Sequence, residues 1–243
     1  MFSTPARLRS ESPGVWVVQT LELWVAVTDS KPHPDESASA EQAKREIDLR
    51  GDLEGFFGEL VLRAVEERGV NPTDATRAYL TSLLIDYARP GALSRDTLER
   101  PFTVLLAEAM GSAGEERFER FRALGDGALY VRGFFWEHLE NRGVALRYVS
   151  SVGARAYDGA RHMLCRAGNA SPATDVFGEL AERFDVFVEL LAAVADHLVA
   201  RGAMSNGDIV KLYERWLRTG STALGEALAA RGLVPMRGFA GVH

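Results

Sequence analysis

Cysteine is nearly absent from this 243-residue chain, in which Cys165 is the single example. No disulfide can therefore form within one chain, which is typical of a reducing cytoplasm rather than of a secreted protein. We expect Cys165, near a helix end, to be a small buried hydrophobic side chain. Lysine is scarce as well, with 3 lysines among 28 basic residues. With the abundant Ala and Gly, this bias favours a GC-rich bacterial genome.

Long apolar runs are also missing. No run reaches the roughly 18 consecutive apolar residues of a membrane span. The apolar segment Val15–Val27 is interrupted by Gln19 and Glu22 and ends without a small-residue cleavage site, so we predict no signal peptide. The net charge of −6 argues against nucleic-acid binding, which needs clustered positive charge. The sequence therefore predicts a cytoplasmic protein with neither a membrane nor a nucleic-acid partner.

The common signatures of catalysis and cofactor binding do not occur. The chain lacks the G-x-G-x-x-G and G-x-x-x-x-G-K phosphate loops, the G-x-S-x-G elbow and the H-E-x-x-H metal motif. We therefore predict no cofactor. Asp158 and His162 share a helix face and are conceivable metal ligands with His138 and His197, but the spacing does not demand a metal. We predict no metal site.

Composition divides the chain into three parts. Residues 1–43 form an N-terminal extension and linker. Within it, Val15–Val27 alternates like one strand or a short hairpin, unless the start was assigned too early and the segment is not native structure, and Ser30–Ala43 has linker composition. Residues 44–232 are predicted to form a helical bundle, and 233–243 a loosely docked or disordered tail.

The bundle region predicts a single all-α domain of seven or eight helices. Asp52 is a plausible N-cap for the first helix, which Gly69 ends, and Thr73 or Asp74 caps the second. We expect the central helix to run over Thr174–Leu198. Its apolar residues follow steps of three and four, which place them on one helix face: Phe177, Leu180, Phe184, Phe187, Leu191, Val194 and Leu198.

The glycine-containing stretch Leu124–Leu139 is predicted to lie in a fourth helix that continues to about Gly143. Gly125, Gly127 and Gly133 are unusual in a helix interior, where each costs about 1 kcal/mol relative to alanine. The fifth helix, Val144–Cys165, carries small residues at near-helical spacing. We therefore expect the glycines of the fourth helix to admit the small-residue face of the fifth in a close crossing.

Polar residues in these two helices are the candidate ligand-binding site. If they converge, they line a pocket between the fourth and fifth helices: Asp126, Tyr130, Arg132, Tyr157, Asp158 and His162. Under the alternative interpretation, Asp126 forms a structural ion pair with an arginine and the tyrosines are amphipathic edges of the core.

Two segments of the sequence form a recognisable pattern. One is Leu124-Gly125-Asp126 with Ala128-Leu129-Tyr130 and Gly133-Phe134-Phe135. The other is Asp208–Gly220, reading DIVKLYERWLRTG, with Val176–Ala181 between them. Together they resemble a family of helical proteobacterial proteins of uncharacterised activity. The resemblance covers residues 52 to 232. It implies a helical architecture and a bacterial cytoplasmic setting, and it implies no catalytic residue.

Two functions fit these patterns. The first is a non-enzymatic interaction or regulatory module that self-associates or binds a protein partner, favoured by abundant aromatic and small-residue helix faces. The second is a small-molecule- or metal-binding helical protein or enzyme that uses the pocket between the fourth and fifth helices.

Overall fold

The chain folds as an all-α helical bundle, which confirms the predicted fold class. The computed structural model describes residues 38–88, 100–166, 175–202, 206–233 and 236. Val15–Val27 and the start of the third predicted helix lie outside the described residues. Within the described residues the helices are α1 (Ala38–Arg68), α2 (Asp74–Ala88), α3 (Phe102–Gly111), α4 (Gly114–Phe134), α5 (Trp136–Asn141), α6 (Leu146–Arg166), α7 (Val176–Glu182), α8 (Phe184–Gly202), α9 (Asn206–Thr219) and α10 (Thr222–Ala229).

The described residues hold ten helices rather than seven or eight because two predicted helices are each interrupted once. The fourth breaks at Phe135 (φ −122°, ψ 25°) and the sixth at Arg183 (φ −116°, ψ 29°). Neither break falls on glycine or proline. Phe134 and Phe135, at the break, are both buried.

The first helix starts earlier than predicted. α1 begins at Ala38, so it includes the last six residues of the predicted linker, and Asp52 lies inside the helix rather than at its N-cap. Its end is as predicted, because Gly69 adopts φ +62° and Val70 N–H donates to the Val65 carbonyl at 3.1 Å. Such a left-handed residue closes a helix at little cost only when it is glycine.

The close crossing of α4 and α6 is built by glycines that meet aromatic rings. A Cβ at Gly125 of α4 would lie 2.6 Å from the Tyr157 ring of α6. In the opposite direction, a Cβ at Gly153 of α6 would lie 2.9 Å from the Ala128 Cβ of α4, and it would also meet the Phe184 ring of α8. The prediction of a close crossing therefore holds, although it is rings as well as small residues that occupy the space.

Gly133 has a different neighbour from the one expected. A Cβ at Gly133 would lie 2.7 Å from the Leu191 Cβ of α8, not against α6. α8 packs on α1, α4, α6 and α10, so the predicted central helix is indeed central, but as the shorter helix Phe184–Gly202. Its apolar residues are buried on more than one side because helices surround it.

A second, smaller apolar cluster joins α9 and α10 to the body. Its fully buried members are Leu212, Leu224 and Leu228, with Val199 and Ala200 of α8 packed against them. α9 ends at Gly220, where φ is +66°, and the chain turns directly into α10. The two helices therefore form a hairpin on one side of α8.

The predicted burial of Cys165 is wrong, because its side chain is exposed. The buried face of α6 runs through Val149, Gly153, Ala156 and Ala160. Position 165 is turned away from this face at the last turn of the helix.

Candidate functional site

Asp126 is the centre of the strongest polar cluster in the described core. It lies in the middle of α4 and is 9% exposed. Its Oδ1 accepts a hydrogen bond from the Tyr79 hydroxyl of α2 at 2.6 Å and another from the Tyr157 hydroxyl of α6 at 2.9 Å. Asp126 is therefore held by tyrosines, not by the arginine ion pair considered above. One carboxylate oxygen connects three helices.

Burial raises the pKa of the Asp126 carboxyl to about 6, because a carboxylate loses hydration when it is enclosed. The two tyrosine hydroxyls and the nearby Arg122 guanidinium act in the opposite direction and keep this rise in pKa from being larger. Burial and the adjacent carboxylate raise the pKa of Tyr157 well above its usual value, so this hydroxyl remains a donor. At neutral pH the cluster is a carboxylate with two donors.

Tyr130 follows Asp126 by one turn but belongs to an aromatic stack. Its ring stacks on Tyr87 with centroids 4.4 Å apart and on Phe134 at 4.5 Å. Its hydroxyl is buried and has no hydrogen-bond partner within the described residues. Burial raises its pKa strongly. Tyr130 thus contributes to core packing and is not joined to Asp126 by a hydrogen bond.

The other three predicted site residues are not part of this cluster. Asp158 and His162 lie on the outer surface of α6 with side chains 53% and 70% exposed, and they contact each other at 3.4 Å. Burial lowers the pKa of Arg132, while Asp185 of α8 and two other acids act against that change. Asp158 and His162 therefore do not join Asp126 and Tyr157, because Asp158 is turned about 100° around the helix from Tyr157.

The conceivable metal site is not assembled either. In the part of the chain that the structure describes, no group of three or more His, Cys, Asp or Glu side chains is placed to hold a metal ion. His197 instead contacts Glu67 of α1, with 3.1 Å between Nε2 and Oε2.

A second candidate site is a surface that the sequence reasoning did not single out. The apolar side of α9 is wider than the area that the body covers. At 100° per residue, six apolar residues of α9 cover an arc of about 160° around the helix. In order from buried Leu212 they are Trp216, Ile209, Tyr213, Leu217 and Val210. Val210 is 58% exposed and Leu217 is 43% exposed. We call Val210, Tyr213 and Leu217 the α9 outer face.

Charged contacts fix α9 on the body. The Arg215 Nε donates to Asp196 Oδ1 of α8 at 2.6 Å, with side chains only 7% and 2% exposed. One turn later, Arg218 pairs with the buried Glu137 of α5 and covers the Trp136 ring at 5.0 Å. These two contacts attach α9 to α8 and to α5.

No protein-family model matches the sequence, and no curated protein or solved structure is significantly similar to the chain. The resemblance to a proteobacterial family therefore remains a prediction. None of the described helices combines the length and the apolar character that a bilayer crossing requires.

Proposed function

We propose that this protein is a non-enzymatic interaction module that presents the α9 outer face to a protein partner. The observation that carries the proposal is the width of the apolar side of α9. The body covers Leu212 completely but leaves Val210 and Leu217 in solvent. Apolar residues at positions i and i+7 lie on the same side of a helix. This spacing is typical of a helix that binds along an apolar groove.

The anchoring of α9 supports binding because it removes part of the ordering cost. A surface that is already in its bound form loses less conformational entropy on association. Asp196–Arg215 and Glu137–Arg218 hold α9 on both sides of the turn that carries Leu217. The aromatic pair Tyr213 and Trp216, with centroids 5.9 Å apart, adds a rigid apolar area beside it.

Charge beside the α9 outer face favours a different protein over a second copy of this chain. Glu214 is exposed and borders Val210 and Leu217 on the helix surface. In a two-fold antiparallel pair of α9 helices, Val210 faces Leu217 of the copy and the two Glu214 carboxylates come close together. Like charges in that position disfavour the pair. A partner with an apolar helix bordered by Lys or Arg fits better.

The test compares capture by two double variants and by the wild type. Val210→Asp with Leu217→Asp places charge on the α9 outer face. Leu62→Asp with Met110→Asp places the same charge on two other exposed apolar positions, 45% and 59% exposed, and serves as the matched control. Immobilised proteins are mixed with cell extract, and captured proteins are identified by mass spectrometry.

We expect the wild type and the control to capture the same protein and the α9 variant to lose it. Circular dichroism checks that both variants are folded, and light scattering gives the mass of each. Equal capture by all three proteins contradicts the proposal. A wild-type dimer that the α9 variant abolishes contradicts the choice of partner and assigns this face to self-association.

The cellular setting is also part of the proposal. A reducing bacterial cytoplasm accords with the single cysteine and with the arginine-rich, lysine-poor composition.

A further inference from the structure

A groove separates α6 from the break between α7 and α8, away from the α9 outer face. Its volume is about 300 Å³. On one side, α6 contributes a stripe at i, i+3, i+4 and i+7: Arg147, Ser150, Ser151 and Ala154. On the other side lie residues 181–186, where the chain leaves α7 and begins α8. The groove exists because the backbone turns at Arg183 instead of continuing along α6.

Ser150 is the feature of this groove that the fold leaves unexplained. Its side chain is 6% exposed, and its Oγ is buried without a hydrogen-bond partner within the described residues. Serine inside a helix commonly bonds to the carbonyl four residues earlier, and Ser150 does not. A buried hydroxyl without a partner is unfavourable, because it has lost its hydrogen bond to water. A ligand oxygen that reaches this hydroxyl would satisfy it.

The start of α8 adds donors on the facing side. α8 is a 19-residue helix that begins at Phe184, and Arg183 precedes it with a non-helical backbone. The first N–H groups of a helix lack partners within that helix, and their dipoles favour a negative charge. Ser150 and Ser151 of α6 and the first residues of α8 therefore line the groove together.

Around the groove, one cation and one carboxylate have no ion pair within the described residues. Arg147 is exposed and has no ion pair within the described residues. The Arg183 guanidinium is occupied by Glu179 at 2.7 Å and by the Asn71 carbonyl at 3.1 Å. The Glu182 carboxylate is paired with Arg161 at 3.2 Å. Asp185 remains as the acidic residue at the rim, and it opposes binding of an anion.

We propose that this groove binds a phosphate-sized oxyanion. Ser150 and Ser151 donate from one side, the first amides of α8 donate from the other, and Arg147 supplies the charge. Asp185 weakens binding. The proposal is independent of the α9 outer face.

The test is a titration with inorganic phosphate at constant ionic strength, followed by amide chemical shifts. We expect saturable shifts that include Ser150 and the first turn of α8. Arg147→Gln and Ser150→Ala should each weaken binding about tenfold or more, because each removes a favourable interaction with a charged ligand. Asp185→Asn should strengthen binding, since it removes the opposing charge.

Arg155→Gln is the matched control, because Arg155 is an exposed arginine of α6 that does not line the groove. It should leave phosphate binding unchanged. The proposal is overturned if phosphate gives no saturable shifts. It is also overturned if Arg155→Gln weakens binding as much as Arg147→Gln, or if Asp185→Asn has no effect. Either of the last two results would mean that phosphate binding depends on the net charge of the protein and not on the residues of this groove.

Discussion

Asp126 shows how a single buried carboxyl can link three helices and still oppose folding at neutral pH. Its hydrogen bonds from Tyr79 and Tyr157 are short, yet its pKa is raised from 3.8 to about 6 by burial. Between these two values the folded state holds more protons than the unfolded state. The free energy of unfolding therefore falls as pH rises through this window, and the contribution is constant above it.

Asp126→Asn should remove this dependence, because the amide oxygen still accepts from both tyrosines but does not ionise. Relative to wild type, the variant should gain about 2–3 kcal/mol of unfolding free energy between pH 4 and pH 7, from about 1.4 kcal/mol per pKa unit. Urea unfolding at a series of pH values measures the difference. If the unfolding free energies of the two proteins change in parallel with pH, ionisation of Asp126 does not destabilise the folded state.

The glycines at the helix crossings are also single residues on which the fold depends. Gly133→Ala places a methyl group 2.7 Å from the Leu191 Cβ, so α4 and α8 must separate. We expect a loss of about 1–3 kcal/mol in unfolding free energy, as for other overpacked cores. Gly55→Ala in α1 is the matched control, because nothing lies within 4 Å of its added Cβ.

At that open site, alanine should stabilise the helix by about 0.5–1 kcal/mol. Thermal unfolding of the two variants should therefore shift in opposite directions. A Gly133→Ala protein as stable as wild type would mean that α4 and α8 are not in the close contact described here.

At the scale of elements, the break at Arg183 does more than shorten a helix. Glu179 of α7 accepts from the Thr73 backbone N–H at 3.1 Å and from the Thr73 hydroxyl at 2.8 Å, next to the start of α2. Arg183 adds its bond to the Asn71 carbonyl. Although burial acts to raise the pKa of Glu179, hydrogen bonds from Thr76 and Thr73 outweigh it and the pKa is lowered. Glu179 and Arg183 thus bind the segment that leads into α2.

The attachment of α9 to α8 is the element-scale feature that can be tested most directly. Asp196→Ala leaves the Arg215 charge buried without its partner, which typically costs about 3–5 kcal/mol. We expect the α9–α10 hairpin to open locally before the rest of the bundle. Hydrogen exchange should therefore increase in α9 and α10 and change little in α4.

Two variants complete this test. Asp196→Leu with Arg215→Met replaces the pair by apolar side chains of similar size and should recover most of the lost stability. Glu59→Ala removes exposed pairs with Arg63 and, at 3.7 Å, with Arg201, all three side chains being 43% to 58% exposed, and should cost less than about 1 kcal/mol. Uniform faster exchange in Asp196→Ala would indicate that α9 and α10 are not a separate unit.

At the scale of the whole molecule, the described residues form two apolar clusters of different size. The large one surrounds α8 and includes the α4–α6 crossing, and the small one lies under α9 and α10. The two proposed binding surfaces follow this division. The α9 outer face belongs to the hairpin, whereas the oxyanion groove lies beside the break that starts α8.

Much of this architecture is predictable from local patterns. Spacing at three and four residues locates the helices, and Gly69 and Gly220 locate two of their ends, because helix periodicity and left-handed caps depend on nearby residues. The same patterns predict that Gly125 lies in a close crossing. They also predict that Tyr157 and Asp126 belong to neighbouring helices.

The candidate site could not be predicted to the same degree, for a physical reason. The rotation of α6 about its axis places Tyr157 next to Asp126 and leaves Asp158 and His162 facing solvent. This rotation depends on packing against helices that are distant in sequence. The breaks at Phe135 and Arg183 fall on neither glycine nor proline, so no local breaker residue marks them. Sequence alone determined the all-α class and most helix positions. Tertiary structure alone decided which polar groups meet, because long-range packing, not local periodicity, fixes the rotation of each helix.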